Sequence, residues 1–515
     1  MQALTPKSLL GYLTLAFLMF TSVAFAVAPA SHPVYATIVS CGQTINSATS
    51  LTADVGPCTG GGIIITGDGT SLNCGGHTIL GSGVGVGINI TGHTKVTVTN
   101  CHVLGFSTGY YLSGSSSNTL TSNSASNNGV YGFYVSASSN TNKFTSNSAT
   151  SNNGTGFYIT GSSTESFTRN VATSNPVGFK LVGSLLDNFV GNTATSNSYG
   201  FYITSASNTN KFSSNSAKSD LISGFDVEGS SGNTFTSNIG NGNGQGFFFS
   251  GSSSNTLTKN IATANTNYGF YLSSASNNNK LTSNTGTNNH LYGFYVSSSS
   301  NTKLTSNAAK GNLVTGFVIL SSSGSTLTSN TATSNVAYGF SLSGSSSNVL
   351  TSNKATGNVY GFYFSSSSGN AVTKNSATKN GYYGFGFGSS FSNTLTSNTA
   401  TGNVAYGFLI WSSQTNTLTS NTASGNTVGF SFSGFLDNTL TKNTASKNTN
   451  DGFAFVGSTG NTITSNTATL NKQYGFSDDS TGQGTNGTGN TYVTNKCTGN
   501  GLAGSDPLGL AAPQP

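Results

Sequence analysis

Charge is scarce in this chain. Of its 515 residues, 18 are Lys or Arg and 12 are Asp or Glu, so charged side chains make up 6% of the composition, against about 25% in a typical globular protein. Arg169 is the single arginine, and the lysines stand singly along the sequence. Because nucleic-acid binding requires clustered cations that neutralise several phosphates, we expect no nucleic-acid partner.

Ligands for soft metals are scarce as well. Both methionines, Met1 and Met19, lie near the N-terminus, and the chain contains no Cys-x-x-Cys. No two histidines stand at ligand spacing within one repeat; they are His32, His77, His93, His102 and His290. Copper and zinc sites are built from sulfur ligands or clustered imidazoles. We therefore predict no metal site.

Long apolar runs are absent after the N-terminus. Lys7 is followed by an apolar stretch at residues 9–20 and by Ala24-Phe25-Ala26, which together are typical of a secretory signal peptide. We predict a signal peptide at residues 1–26 and a mature protein that is secreted, periplasmic or at the cell surface, with no membrane span. The alternative is an uncleaved anchor, because residues 9–28 just reach the length that spans a bilayer.

The five cysteines fit an exported protein. Cys74 and Cys101 end equivalent segments of consecutive repeats, so they should lie on adjacent strands, close enough for a disulfide. We predict the pairs Cys74 with Cys101 and Cys41 with Cys58, and a free Cys497.

Glycine followed by Phe or Tyr recurs at intervals of 22 to 24 residues. The glycines are Gly109, Gly132, Gly156, Gly178, Gly200, Gly224, Gly246, Gly269, Gly293, Gly316, Gly339, Gly361, Gly384, Gly407, Gly429, Gly452 and Gly475. A period in this range indicates a solenoid, in which stacked repeats bury a common core.

Within a repeat the apolar residues alternate with period two, which indicates strands. Phe133 and Val135 should face inward and Tyr134 outward, whereas Leu120 and Ala125 are the inward residues of two further short segments. We predict an all-β parallel β-helix with three short strands in each coil of 22–24 residues.

Asparagine recurs at the ends of the short segments, as at Asn147 and Asn152. Asn tolerates left-handed backbone and bonds to its neighbours. We expect stacked Asn columns that satisfy backbone groups at the corners of the coil.

The regular repeat divides the chain. We predict a disulfide-bearing N-terminal cap with the first coils at 27–105, regular coils at 106–476, a polar loop and last coil at 477–500, and a disordered tail at 501–515.

Coils such as Gly269-Phe270-Tyr271-Leu272-Ser273, and the leading segment Cys41-Gly42-Gln43-Thr44-Ile45, resemble right-handed parallel β-helix repeats of the pectin-lyase-like superfamily, especially NosD-type repeats. The resemblance covers nearly the whole mature chain and implies the fold. It implies less about activity, because this fold hosts lyases, epimerases, hydrolases and non-catalytic binders. NosD itself implies assistance to copper-site assembly, for which the residues here supply no ligand cluster.

A carboxylate pair is the candidate catalytic centre. Asp226 and Glu228 flank an inward Val on one strand, so both should point outward, about 6–7 Å apart. Tyr202 precedes them by one coil and Lys180 by two, while Asp220 lies in the adjoining turn. Such a cluster suits a polysaccharide lyase, epimerase or glycoside hydrolase, with Ca²⁺ as a possible cofactor. The alternative is solvated charge that discourages aggregation; Glu165 with Arg169 is interpreted as a local ion pair.

An outward aromatic column is the candidate binding surface. It follows Gly-Phe in successive coils, and its predicted ligand-binding members, beside Phe248, are Tyr111, Tyr134, Tyr158, Tyr202, Tyr271, Tyr295 and Tyr363. A ladder of rings beside hydroxyls and amides suits stacking against an extended glycan. The alternative is that aromatic residues simply favour strands.

We therefore expect a monomeric, non-catalytic β-helix that binds polysaccharide or a cell-surface glycan. The alternatives are a carbohydrate-active enzyme centred on Asp226 and Glu228, and a structural or adhesive surface rod. Outward Thr-x-Thr rows, as at Thr119 and Thr121, leave ice binding as a further alternative.

Overall fold

The computed structural model describes residues 35–513. The predicted signal peptide and His32 lie outside the described residues. Within them the chain consists of strands and connecting turns, with one short 3-10 turn at Thr485–Gly487. None of the described residues forms a helix long and apolar enough to cross a membrane. The predicted all-β parallel solenoid with three strands per coil is confirmed.

Each regular coil places one long strand and two short strands on three parallel sheets. In one coil, Tyr131–Ser136 lies on sheet 1, Lys143–Thr145 on sheet 2 and Ser148–Thr150 on sheet 3, after which Thr155–Thr160 returns to sheet 1. Each strand pairs in parallel with the equivalent strands of the neighbouring coils. Equivalent residues of successive coils therefore lie side by side on the same face of the solenoid.

The strands of sheet 1 have six residues in most coils and fewer at both ends. They are Gln43–Ile45, Ile63–Ile65, Val86–Thr91, Thr108–Ser113, Tyr131–Ser136, Thr155–Thr160, Val177–Val182, Tyr199–Thr204, Ser223–Glu228, Gln245–Ser250, Tyr268–Ser273, Tyr292–Ser297, Thr315–Leu320, Tyr338–Ser343, Tyr360–Ser365, Tyr383–Gly388, Tyr406–Trp411, Val428–Ser433, Phe453–Val456, Tyr474–Asp478 and Ala503–Asp506. Sheet 2 runs in three-residue strands from Tyr35–Thr37 to Thr491–Val493, and sheet 3 in strands of two to four residues from Val55–Cys58 to Ala512–Pro513.

The core is built from columns of like side chains. The ring centroids of Phe133 and Phe157 are 4.7 Å apart and their planes differ by 4°, and the same stack continues coil by coil to Phe476. Leu120 and Ala125 are fully buried on the two short-strand sheets. The predicted inward residues are confirmed, and their stacking fills the interior along its whole length.

The glycine before each core Phe is required by close backbone approach. A Cβ atom on Gly132 would lie 2.6 Å from the carbonyl oxygen of Gly156 and 3.1 Å from the Cβ of Ala149, so only glycine fits. The strand bends here, and Tyr131 points outward although Phe133 points inward. Strict period-two alternation therefore breaks at the glycine.

Buried asparagine columns stabilise the corners, as expected. The Oδ1 atom of Asn152 accepts hydrogen bonds from the backbone N–H and the Nδ2 of Asn128, while its own Nδ2 donates to Ala125 O and Asn175 Oδ1. The left-handed backbone expected of asparagine belongs to the preceding residue, Ser151, with φ 53°. This shift arises because the Asn side chain turns inward to join the column.

The two ends of the solenoid differ. The structure contains both predicted disulfides, with Cα–Cα distances of 5.4 Å for Cys41–Cys58 and 4.7 Å for Cys74–Cys101, and Cys497 is free and buried.

The tail predicted to be disordered instead continues the last coil as far as residue 513. Ala503–Asp506 pairs with Tyr474–Asp478, and Leu510 is 2% exposed. The strand pairing of Ala503–Asp506 and the burial of the Leu510 side chain order this segment.

Candidate functional site: the outer face of sheet 1

Three positions of each six-residue strand point outward from sheet 1: the first, the fourth and the sixth. The tyrosines predicted to bind ligand all occupy the fourth position and are half-buried. Five of them lie opposite one another on neighbouring strands, as in the register of Tyr134 with Tyr158 and of Tyr271 with Tyr295. Tyr202 lies between Lys180 and Asp226, and Tyr363 between Ser341 and Gly386. The structure therefore places all seven residues on the outer face of sheet 1.

A second aromatic column at the first position was missed by the sequence reasoning. It consists of Tyr131, Tyr199, Tyr268, Tyr292, Tyr338, Tyr360, Tyr383, Tyr406 and Tyr474. The available signal was the recurring triplet Tyr-Gly-Phe. Alternation counted back from the inward Phe assigns this Tyr to the core, and only the bend at the glycine brings it outward.

The two columns interlock over residues 111–295, a surface that we call the long tract. Tyr131 contacts Tyr134 of its own strand, with ring centroids 4.7 Å apart, and Tyr158 of the next, at 4.9 Å. Farther along, the ring centroids of Tyr271 and Tyr295 are 4.9 Å apart with planes 17° apart. The long tract is thus a broad aromatic surface rather than a single ladder.

Lys180 occupies the fourth position of the strand that precedes the Tyr202 strand on sheet 1. That strand has no aromatic ring at either its first or its fourth position. The Nζ atom of Lys180 lies 5.7 Å from the ring centroid of Tyr158 and 5.5 Å from that of Tyr202. An ammonium held between two ring faces makes a cation–π contact with each. The lysine therefore bridges two aromatic coils and adds a positive charge to the face.

Asp226 lies on the outer face but is covered. It is 2% exposed, because Tyr202 and Phe248 flank it on the two neighbouring strands. Burial, followed by the charge of Glu228, raises the pKa of Asp226 to about 7, and its Oδ1 has no hydrogen-bond partner. Asp226 thus lies on the outer face, as expected, but the alternative that it is a solvated charge is wrong, because the side chain is buried.

Glu228 is partly exposed and paired with a tyrosine. The Tyr202 hydroxyl donates a 2.6 Å hydrogen bond to Glu228 Oε2, and burial together with this contact raises the pKa of Tyr202 to about 12. Lys180 lies on the strand beyond Tyr202 and forms no ion pair with a carboxylate in the described part of the chain. The structure thus brings Asp226, Glu228 and Tyr202 together, with Lys180 one strand away.

Two other acidic residues belong to the asparagine columns rather than to the face. Asp220 Oδ1 accepts hydrogen bonds from the backbone and side chain of Asn197. Glu165 is fully buried and bonded to Asn142, while Arg169 is exposed. The interpretation of Glu165 and Arg169 as a local ion pair is wrong, because the glutamate replaces a buried Asn.

Farther along the face lies a concave site that we call the Trp411 cleft. Its cavity volume is about 360 Å³, and it is lined by Tyr338, Tyr360, Tyr363, Tyr382, Tyr383, Leu409 and Trp411. Val318 and Ser341 occupy the fourth position of the two strands between the long tract and the coil of Tyr363. The aromatic face is therefore divided into a long tract and a separate cleft.

Two family models match this chain. The model described as "Periplasmic copper-binding protein (NosD)" matches residues 59–219, 191–331 and 376–501, which together exceed half of the sequence. The chain belongs to the NosD family. The "Right handed beta helix region" model matches residues 276–423, which confirms the right-handed repeat expected for NosD-type coils.

Solved structures similar to this NosD-family chain have low sequence identity to it. A double mutant of the periplasmic alginate epimerase AlgG is 15% identical, with 69% of this chain and 78% of that chain covered and a TM-score of 0.29. The A-module of the mannuronan C-5 epimerase AlgE6 from Azotobacter vinelandii is 12% identical, with 73% and 91% covered and a TM-score of 0.33. DFA-IIIase from Arthrobacter chlorophenolicus A6 is 12% identical, with 60% and 69% covered and a TM-score of 0.29. No curated protein matches the chain.

The residues of this NosD-family chain do not fit a copper site. His77 and His93 each lie beside a single aspartate, with Nδ1–Oδ1 distances of 3.3 and 3.2 Å to Asp54 and Asp68. Four cysteines are consumed in disulfides, and no group of three or more His, Cys, Asp or Glu residues converges among residues 35–513. Copper needs soft sulfur or clustered imidazole, which this arrangement lacks.

Proposed function

We propose that the protein binds an extended polysaccharide or cell-surface glycan along the outer face of sheet 1. The observation that carries the proposal is the long tract, in which two columns of aromatic rings interlock over consecutive coils. The protein would act as a monomer that is secreted, periplasmic or at the cell surface. Membership of a family described as periplasmic and the two disulfides support that location.

The chemistry of the long tract suits a sugar chain. Ring faces stack against the C–H faces of sugars, and tyrosine hydroxyls offer hydrogen bonds at the rim of each ring. Neighbouring coils repeat about every 4.8 Å, and every coil of the long tract except those of Lys180 and Asp226 presents an outward ring, so a chain lying along the solenoid meets rings on most coils. An extended ligand therefore gains many weak contacts at once.

Removing rings from the long tract tests the proposal. The double variant Tyr134→Ala, Tyr158→Ala should weaken retention by a bound polysaccharide at least about tenfold, since each stacked ring contributes about 1 kcal/mol. Affinity electrophoresis through gels that contain soluble polysaccharides measures this loss. Tyr474→Ala, an outward tyrosine outside the long tract, is the matched control. Equal retention of both variants would contradict binding at the long tract.

A second candidate function is catalysis at Asp226 and Glu228. The observation that favours it is the difference in environment: Asp226 is buried, which raises its pKa to about 7, while Glu228 is partly exposed and accepts a hydrogen bond from Tyr202. Two neighbouring carboxyl groups in different environments suit general acid and base roles. The burial of Asp226 weighs in favour of binding, because a group at 2% exposure meets no substrate without movement of Tyr202 or Phe248.

Product analysis separates the two candidate functions. A binder retains polysaccharide and releases neither new reducing ends nor unsaturated sugars, whereas an enzyme releases or alters sugars and loses this activity in Glu228→Gln. Added Ca²⁺ would raise activity only in the enzymatic case. A chain that neither retains nor alters any polysaccharide would instead be a structural or adhesive rod.

A further inference from the structure

We propose that the Trp411 cleft is a separate subsite that holds one or two uncharged sugar residues. The proposal rests on glycan binding by this face and assigns a location and a ligand class within it. The argument comes from the shape of the cleft, its polar groups and its lack of charge.

Glycine at two outward positions creates the concavity. In Tyr383–Gly388, the fourth and sixth residues are Gly386 and Gly388, so this strand contributes no outward side chain there. A Cβ atom on Gly386 would lie 2.6 Å from the ring carbon Cζ of Tyr383, and one on Gly388 would lie 2.5 Å from Cζ2 of Trp411. Both rings therefore lie directly on glycine backbone.

The rings supply a floor and a wall. Tyr383 is 5% exposed and forms the floor. Trp411 leans across the glycine strand toward Tyr363, two coils away, with ring centroids 6.0 Å apart and planes 12° apart. Tyr338 continues this wall at 5.1 Å from Tyr363. The rings of Trp411, Tyr363 and Tyr338 are thus nearly parallel, and the Tyr383 ring is tilted by 43° to Tyr363 and by 53° to Trp411.

Ring edges and polar groups form the rim. Tyr360 and Tyr382 meet edge to face, with planes 86° apart. Among the described residues, the hydrogen bonds of Trp411 are made by its backbone and not by its indole ring. The indole N–H is therefore available to a ligand. Ring faces with hydroxyl and N–H groups at their edges match a sugar, which is apolar on its faces and polar around its perimeter.

Size and charge define the ligand class. A volume of about 360 Å³ lies at the lower end of the range for small-molecule sites, which suits one or two sugar residues. No charged side chain lines the cleft. A uronate or sulfated sugar would find no cation there, so the ligand is an uncharged sugar.

The chain carries its own reporter for this cleft. Trp411 is the one tryptophan of the sequence, so tryptophan emission reports the cleft and nothing else. Hexasaccharides of glucose, mannose, galactose and xylose, each titrated into the full chain, should include at least one that gives a saturable change in emission. Hexagalacturonate should give a dissociation constant at least tenfold higher than the best neutral sugar.

Gly388→Ala is the decisive variant because the added methyl group occupies space that the Trp411 indole ring fills in the unaltered chain. We expect it to shift the Trp411 emission to longer wavelength and to weaken the neutral-sugar response at least tenfold, with unchanged circular dichroism. Ser433→Ala is the matched control, because Ser433 lies opposite Trp411 on the next strand, and it should bind as the unaltered chain does. Trp411→Ala, followed by calorimetry, gives the same test without the reporter.

The outcomes distinguish the cleft from the long tract. Polysaccharide retention with unchanged emission and normal binding by Gly388→Ala would overturn the cleft and leave the proposed function standing. Absence of both retention and emission change would overturn both. Choline chloride binding more tightly than every neutral hexasaccharide would overturn the sugar assignment, because aromatic clefts also hold quaternary ammonium groups.

Discussion

Three buried carboxyl groups occupy positions that asparagine holds in other coils. Glu165 and Asp187 are consecutive members of one column, and Asp220 belongs to another. In Asp187 and Asp220, Oδ1 accepts the bonds that Asn Oδ1 accepts elsewhere, whereas in Glu165 Oε2 accepts from the backbone N–H of Asn142 and Oε1 from its Nδ2. The Oδ2 atom of each aspartate stands where an amide nitrogen would donate and has no partner. A proton on Oδ2 restores a donor, so the two aspartate sites favour the neutral acid.

The pKa shifts follow from this geometry. Burial raises the pKa of Asp187 from 3.8 to about 7 and that of Glu165 from 4.5 to about 9. The folded chain therefore holds protons that the unfolded chain releases above about pH 4. The stabilising contribution is complete below that pH. It decreases as the pH rises to about 7 for Asp187 and to about 9 for Glu165.

Asp187→Asn should therefore stabilise the protein at high pH only. The new Nδ2 can donate to Ser162 O, as Asn210 Nδ2 donates to Ser184 O at 3.0 Å. We expect a gain of about 2–4 kcal/mol at pH 8 and little change at pH 4. Urea unfolding of both chains at the two pH values measures it.

Asp437→Asn, at an exposed turn, provides the control for loss of a charge and should show no comparable gain at pH 8. An equal gain for Asp187→Asn at pH 4 and pH 8 would contradict the proton-holding role of the aspartate.

At the scale of the coil, side-chain hydrogen bonds between asparagines supplement the short strands. Strands of three residues offer few backbone bonds, and each buried Asn adds bonds to the coils on both sides of it. Removing one Asn leaves a buried backbone N–H and a carbonyl without their partners. That desolvation cost exceeds the net value of the lost bonds.

Adjacent asparagines allow a matched test. Asn152 is buried in its column, whereas Asn153 is exposed beside it. Asn152→Ala should destabilise the protein by about 2–4 kcal/mol, and Asn153→Ala by less than about 0.5 kcal/mol. Thermal unfolding followed by circular dichroism compares them. Similar losses in the two variants would mean that the columns add little beyond the backbone pairing.

The repeat alone predicts most of the coil, and its failures have local causes. Period-two alternation places Phe133 and Tyr134 correctly but assigns Tyr131 to the wrong side, because the bend at Gly132 depends on contact with the next coil. The burial of Asp226 depends on rings contributed by neighbouring strands. The roles of Gly386 and Gly388 also come from residues of adjacent coils, which lie outside any one repeat.

At the scale of the whole molecule, positive and negative charge are segregated between surface and interior. Between Asp68 and Asp437, every lysine and the one arginine are exposed except the half-buried Lys180. The carboxyl groups over the same stretch are buried, apart from Glu228, which is bonded to Tyr202. The described residues contain no Lys or Arg ion pair. The surface of the central coils therefore carries cations with almost no exposed anions among them.

Protonation of the buried acids makes the net charge of the folded chain more positive than the formal value of +6. Glu165 has a folded pKa of about 9, and the values for Asp187, Asp220 and Asp226 are each about 7. At pH 5.5 these four groups are neutral in the folded chain and ionised in the unfolded chain. Unfolding should therefore release about four protons per molecule.

The number of protons released on mixing with urea in weakly buffered solution at pH 5.5 shows how many of the four buried acids are protonated in the folded chain. The triple variant Glu165→Gln, Asp187→Asn, Asp220→Asn retains Asp226 alone among the four buried groups and should release about one proton. Release of fewer than one proton by the unaltered chain would mean that the buried acids are ionised. The net charge of the folded chain would then be close to the formal value of +6.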